Sequence, residues 1–159
     1  MFGPSWGNLL MNPDYLDILS ELSAARAEFL VVGAYALAIH GLPRATGDID
    51  IWVNPTPENA RRIWSALVRF KAPLQDLVES DLSSEGLVFQ IGVAPRRIDI
   101  LTSIEGVPFA EAWAGRTSTT IGQLIVPVLS RSHLIRNKRA CGRPKDLADL
   151  AWLESSEPS

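Results

Sequence analysis

Apolar positions along this chain switch between a helical and a strand period, and the switches mark out its elements. Tyr15, Ile18, Leu19, Leu22 and Ala25 recur at helical spacing behind Asn12-Pro13-Asp14, a cap and helix start, which predicts an amphipathic helix over 13–27. Glu28 to Val32 is an unbroken apolar strand ending at Gly33, and its continuity predicts a central place in a sheet. Small and apolar residues then predict a short helix over 34–40, stopped by Gly41. From Asp48 to Val53 carboxylates and isoleucines alternate, which is a strand period. Thr56 caps and Pro57 opens a helix over 57–70, with Ala60, Ile63, Trp64, Leu67 and Val68 on one face.

Further along, Pro73 to Glu79 predicts a short irregular helical piece. Leu87 to Val93 and Arg97 to Leu101 read as strands joined by a turn at Ala94-Pro95-Arg96. Phe109 to Trp113 predicts a short helix, and Thr117–Ile121 and Leu124–Val128 predict short strands around Gly122. Ser130 or Ser132 caps a helix running to Cys141, Gly142 ends it, and Pro144 begins the last helix. In that helix Leu147, Leu150 and Ala151 are expected to face inward, with Asp146 and Asp149 on the opposite edge. The sum is an α+β fold: a small mixed sheet flanked by helices, closed by a C-terminal helical pair. At 159 residues a single domain is expected, with its core over about 13–101 and its helical end over about 130–154.

Composition narrows the function classes. Hydrophobic residues make up 47% and charged residues 21%, the balance of a globular chain rather than a disordered one. No apolar run approaches a membrane span, and the start MFGPSWGNLLMNPDY lacks the basic lead and apolar centre of a secretory signal. One cysteine, Cys141, leaves no internal disulfide and no zinc cluster, so the expected setting is the cytoplasm. A net charge of −3 argues against nucleic-acid binding by the whole surface. The charge is uneven, however. Arg131, Arg136, Lys138, Arg139, Arg143 and Lys145 follow one another with no acid between them. That run reads either as a solvated helix face or as a grip for triphosphate or an RNA backbone.

Candidate chemistry gathers around Gly33 to Val53. A glycine where a strand turns into a helix lets another group approach the backbone closely, and the corner suits a phosphate. Asp48 and Asp50, two apart on a strand, share a face and suit one or two divalent cations. Asp99 sits between isoleucines, where a carboxylate is costly unless it meets a polar cleft or a partner. Lys138 lies beside the apolar stripe of Leu134 and Ile135, so its stem snorkels or its ammonium reaches a cleft. Arg44 precedes the aspartates as a phosphate contact or a solvated loop charge, and His40 is read as structural.

Gly33-Ala34, thirteen intervening residues and Asp48-Ile49-Asp50 together resemble the signature of the DNA polymerase β-like nucleotidyltransferase superfamily. The resemblance implies a nucleotidyltransferase fold, Mg²⁺ on Asp48 and Asp50, a nucleoside triphosphate such as ATP cradled by Gly33 and Ala34 with Arg44, and Asp99 as general base or third metal ligand. Ala34 departs from the usual Ser or Gly, removing a hydroxyl contact. The stretch from Lys138 to Leu150, with Arg143-x-x-Asp146-x-x-Asp149-Leu150, is similar to the C-terminal motifs of AbiEii toxin-type enzymes. That likeness casts Lys138 as a catalytic and nucleotide-binding lysine, Asp146 as the motif aspartate and Asp149 as its structural partner. It implies transfer of a nucleotide to a tRNA 3′ end or to a partner protein in a toxin–antitoxin or phage-defence system. A small-molecule acceptor stands beside these. The rival expectation is a non-catalytic module that keeps the fold and binds a nucleotide or a partner.

Overall fold

The computed structural model describes residues 11–42 and 47–155. Among them six strands form one mixed sheet in the order β3-β4-β2-β1-β6-β5. The strands are β1 (Phe29–Val32), β2 (Ile49–Val53), β3 (Val88–Ile91), β4 (Ile98–Leu101), β5 (Thr117–Ile121) and β6 (Leu124–Val128). The α-helices are α1 (Pro13–Ala24), α2 (Gly33–Ile39), α3 (Pro57–Phe70), α4 (Phe109–Ala114), α5 (Arg131–Cys141) and α6 (Pro144–Ser155). The α+β class and its C-terminal helical pair are as the spacing predicts. No helix is long and apolar enough to cross a membrane among the described residues.

The apolar run of β1 is buried at every position because it lies between β2 and β6. It pairs antiparallel with β2 and parallel with β6. Asn59 ties the start of β1 to the end of β2: its Oδ1 accepts from Glu28 N at 2.7 Å, and its Nδ2 donates to Glu28 O and Asn54 O at 3.0 and 2.9 Å. Three caps fix helix starts. Asn12 Oδ1 accepts from Asp14 N at 2.8 Å, Thr56 Oγ1 from Asn59 N at 3.2 Å, and Ser130, not Ser132, caps α5 by accepting from His133 N at 3.2 Å. α1 packs on α3, and α5 packs on α6.

Two expectations give way. The helical piece near Pro73 is a 3₁₀ turn at Glu79–Ser83, because Asp81 Oδ2 accepts from Val78 N at 3.0 Å and starts the turn there. In the last helix Leu150 is buried as expected, but the rest of the expected face is not. Asp146, Asp149, Leu150 and Leu153 are buried, while Leu147 is 52% exposed and Ala151 is exposed. The positions i, i+3, i+4 and i+7 face inward as a helix requires, but two of the four are acids. Such burial is stable only with cations to meet the carboxylates.

Candidate active site

Register builds the acidic cluster. β2 and β4 run parallel with Asp50 opposite Asp99, β1 sets Val32 opposite Asp50, and β3 sets Gln90 opposite Asp99. Partners across a sheet share a face, so Gln90, Asp99 and Asp50 form a row that ends beside the Val32–Gly33 corner. Gly33 has φ +68°, and a Cβ there would stand 3.2 Å from the Asp50 Cγ and closer still to its Oδ2. The corner is therefore glycine for two reasons: the left-handed backbone and the carboxylate pressed against it.

Arg97, which the sequence shows only as the first residue of a strand, organises the acids. Its Nε lies 2.7 Å from Asp99 Oδ1, and its Nη2 lies 3.1 Å from Asp99 Oδ2 and 3.2 Å from Asp48 Oδ2. Its backbone N–H also donates to Asp48 Oδ1 at 2.9 Å. The available signal was its place two residues before Asp99, which in extended chain puts both side chains on one face.

Asp50 has no share in these Arg97 bonds. Burial pushes its carboxyl up from an ordinary 3.8 to about 6, helped by the charge of Asp99, a hydrogen bond with Asp99 and the charge of Asp48. Among the described residues, no group of three or more Asp, Glu, His or Cys side chains is set to hold a metal ion as the chain stands. The donor chemistry nonetheless fits a hard cation. Three carboxylates crowd one spot, and burial together with the charge of its neighbours makes one of them, Asp50, costly to ionise.

Of the three acids Asp50 lines a cleft of about 710 Å³, together with Gly33, Ala34, Lys138, Arg143 and Lys145. Lys138 is buried, with Nζ 3.3 Å from both Asp146 Oδ1 and Asp149 Oδ2. Arg143 Nε reaches Asp146 Oδ2 at 2.5 Å. That guanidinium, with Lys138 behind it, holds the Asp146 carboxyl below the usual range despite its burial. Asp146, with no exposed surface, thus aims Lys138 and Arg143 at the cleft wall rather than opening onto the cleft itself. The buried acids of α6 are the counter-charges of Lys138 and Arg143.

The structure brings Gly33, Ala34, Asp50 and Lys138 to one cleft, sets Asp99 beside Asp50 by strand register and Asp48 beside Asp99 through Arg97, and leaves Asp146 behind Lys138. Arg44 lies outside the described residues. His40 is structural as read, with Nε2 2.9 Å from Leu129 O. The basic run is largely engaged: Arg136 pairs with Glu111, Arg139 with Glu154 at 2.5 Å, and Arg131 donates to Leu153 O. It is not a bare cationic face.

No protein-family profile and no curated protein matches the chain. Solved structures do. A candidate nucleotidyltransferase from Thermotoga maritima (TM1012) aligns at 17% identity and a TM-score of 0.57, covering 94% of this chain and 98% of that one. The lincosamide antibiotic adenylyltransferase LnuA, lincomycin-bound, aligns at 14% identity and a TM-score of 0.56, covering 93% and 99%. The fold is the nucleotidyltransferase fold, shared over nearly the whole length of both neighbours.

Proposed function

We propose that the chain transfers a nucleoside monophosphate from a nucleoside triphosphate to a hydroxyl acceptor, with Mg²⁺ bound by Asp48, Asp50 and Asp99. The carrying observation is the register of Asp50 against Asp99 beside a glycine corner, opposite a wall of Lys138, Arg143 and Lys145. Bound there, the ion would offset phosphate charge and polarise the α-phosphorus. Lys138, Arg143 and Lys145 meet the charge that grows on departing pyrophosphate. The acceptor oxygen bonds to the α-phosphorus as the bond to the bridging oxygen breaks, pyrophosphate leaves with that electron pair, and Asp99 takes the acceptor proton.

Arg97 has a double part in this reading. It holds Asp48 and Asp99 in place while the site is without a cation, and it must loosen its grip for them to bind one. A tRNA end or a toxin-partner protein follows from the sequence resemblance. The carboxylates already paired with Arg136 and Arg139 leave less charge for an RNA backbone, which favours a small acceptor, the kind LnuA takes. The test is incubation with each α-labelled NTP, Mg²⁺ and a cell lysate. Label is expected in the small-molecule fraction. Label on RNA or protein would move the acceptor to that class, and no label in any fraction would favour the non-catalytic module.

A further inference from the structure

The cleft of about 710 Å³ reaches across four strands, and sheet register sets its two ends on opposite sides of Asp50. Val32 pairs with Asp50, so Gly33, the next residue after antiparallel β1, lies one strand away and toward the start of β2. On the other side, Asp99 of parallel β4 pairs with Asp50 and Leu101 with Trp52, so Leu101 lies one strand away and toward the end of β2. Val88 of β3 pairs with Leu101 one strand further out. Partners across a sheet share a face, and so do residues two apart, so Asp50, Asp99, Leu101 and Val88 lie on one face. Three strand spacings, about 14 Å, separate Val88 from β1. Gly33, Asp50, Leu101 and Val88 all line the cleft.

The end at β3 and β4 is apolar and acidic. Val88 is 56% exposed, and Leu101 and Ile104 are half-buried. Glu105 lines the same end, and Asn137 of α5 fixes its loop by donating to Glu105 O at 2.9 Å. Lys138, the next residue of α5, turns instead to Asp146 and Asp149 of α6, so the helix parts the cations from this end. A smaller hollow of about 210 Å³ shares Ser103 and Ile104 with the cleft, and Glu85 is its one charged lining residue among those described. Neither the Glu85 nor the Glu105 carboxylate has an ion pair or hydrogen bond among the described residues, whereas Lys138 and Arg143 are already held by buried acids.

We propose that the acceptor occupies the Val88, Leu101 and Ile104 end of the cleft, and that it is a small hydroxyl-bearing molecule with an apolar body and a cationic amine. The inference rests on the nucleotidyl-transfer reading above. In-line displacement sets the entering oxygen and the leaving pyrophosphate on opposite sides of the α-phosphorus. With the triphosphate against Gly33 and the α-phosphorus over Asp50, the entering oxygen comes from the β4 side. Asp99 is the next carboxylate in that direction and takes the proton. The nucleoside is bonded through an oxygen that lies off the in-line axis, so its path leaves this end free. Three apolar side chains then underlie the acceptor body, and Glu105, with Glu85 beyond it, meets the amine. Arg97 lies two residues the other way from Asp99 and is held by Asp48 and Asp99, so it does not oppose a cation here.

Amide shift mapping of the ¹⁵N-labelled full chain tests this in two stages. α,β-Methylene-ATP with Mg²⁺ should move Gly33, Ala34 and Lys138; failure at this stage overturns the transfer reading and the acceptor site with it. Two matched probes are then titrated into parallel samples of the nucleotide complex: 2-amino-1-phenylpropan-1-ol, a cation at neutral pH, and 1-phenylpropane-1,2-diol, its neutral counterpart. The amine should move Val88, Leu101, Ile104 and Glu105 and bind at least about fivefold more tightly than the diol. Glu85→Gln with Glu105→Gln should bring the two probes to within about twofold, with the nucleotide shifts of the first stage retained. Nucleotide shifts that themselves reach Val88 and Glu105, an amine that leaves this end unmoved, a diol that binds as tightly, or a preference that survives the double substitution would each overturn the acceptor site and leave the transfer reading standing.

Discussion

Replacing Asp50 by Asn should make the protein more stable and less useful. In the folded chain the Asp50 carboxyl ionises only near 6 instead of 3.8, so above that pH folding forces a charge into a site already holding Asp99 and Asp48. At about 1.4 kcal/mol per pH unit, the penalty is at most about 3 kcal/mol at neutral pH. The sign follows from proton counts. Between the two values the folded chain binds more protons than the unfolded one, so this group's contribution to stability falls as pH rises through that window and is fully unfavourable above about 6. Asn keeps the shape, carries no charge and donates to Asp99. Thermal unfolding without divalent cations should therefore show Asp50→Asn melting roughly 4–10 °C above the wild type at pH 7.5. At pH 4 the two should nearly coincide. Added Mg²⁺ should raise the wild type and leave the variant almost unmoved. A variant no more stable than the wild type at pH 7.5, or a gain independent of pH, would refute the idea that acid crowding destabilises the empty site.

Three further predictions follow the same geometry. Gly33→Ala meets a left-handed backbone and the Asp50 carboxylate at once, and should cost about 1–3 kcal/mol in chemical denaturation while abolishing nucleotide transfer. Lys138→Met leaves Asp146 and Asp149 without their buried ammonium, which should cost about 3–5 kcal/mol, measured by denaturant midpoint at constant slope. Arg97→Gln removes the cation between Asp48 and Asp99, so its melting temperature at pH 7.5 should fall and recover with Mg²⁺ more fully than the wild type gains.

How much of this could be read before the coordinates depended on whether the information was local. The Asp48-Ile49-Asp50 alternation and the apolar setting of Asp99 place carboxylates on strand faces, and that is local. The unbroken run of β1 foretells its central position for the same reason. That β2 and β4 run parallel, with Asp50 against Asp99, depends on the chain path between them and is not written in either strand. Arg97 escaped because its partner is two residues away on the same face, and an arginine at a strand end looks like an exposed edge charge. The last helix was misjudged because apolar periodicity assumes that acids face water. Leu147, Leu150 and Ala151 form a plausible stripe, but Lys138 and Arg143 on the neighbouring segment make the Asp146 and Asp149 face the buried one. Likewise, the acids that meet the basic run, Glu111 and Glu154, come from other helices, so neither a solvated face nor a phosphate grip could be told from the run alone.

The central claim is that these converging carboxylates drive phosphoryl chemistry on a nucleotide held against Gly33. Pyrophosphate release from NTP with Mg²⁺ and the accepted hydroxyl compound, compared between the wild type and Asp48→Asn of matched circular dichroism, tests it most directly. The account predicts steady release by the wild type and a loss of at least about a hundredfold in the variant. Equal release by the two proteins would contradict it.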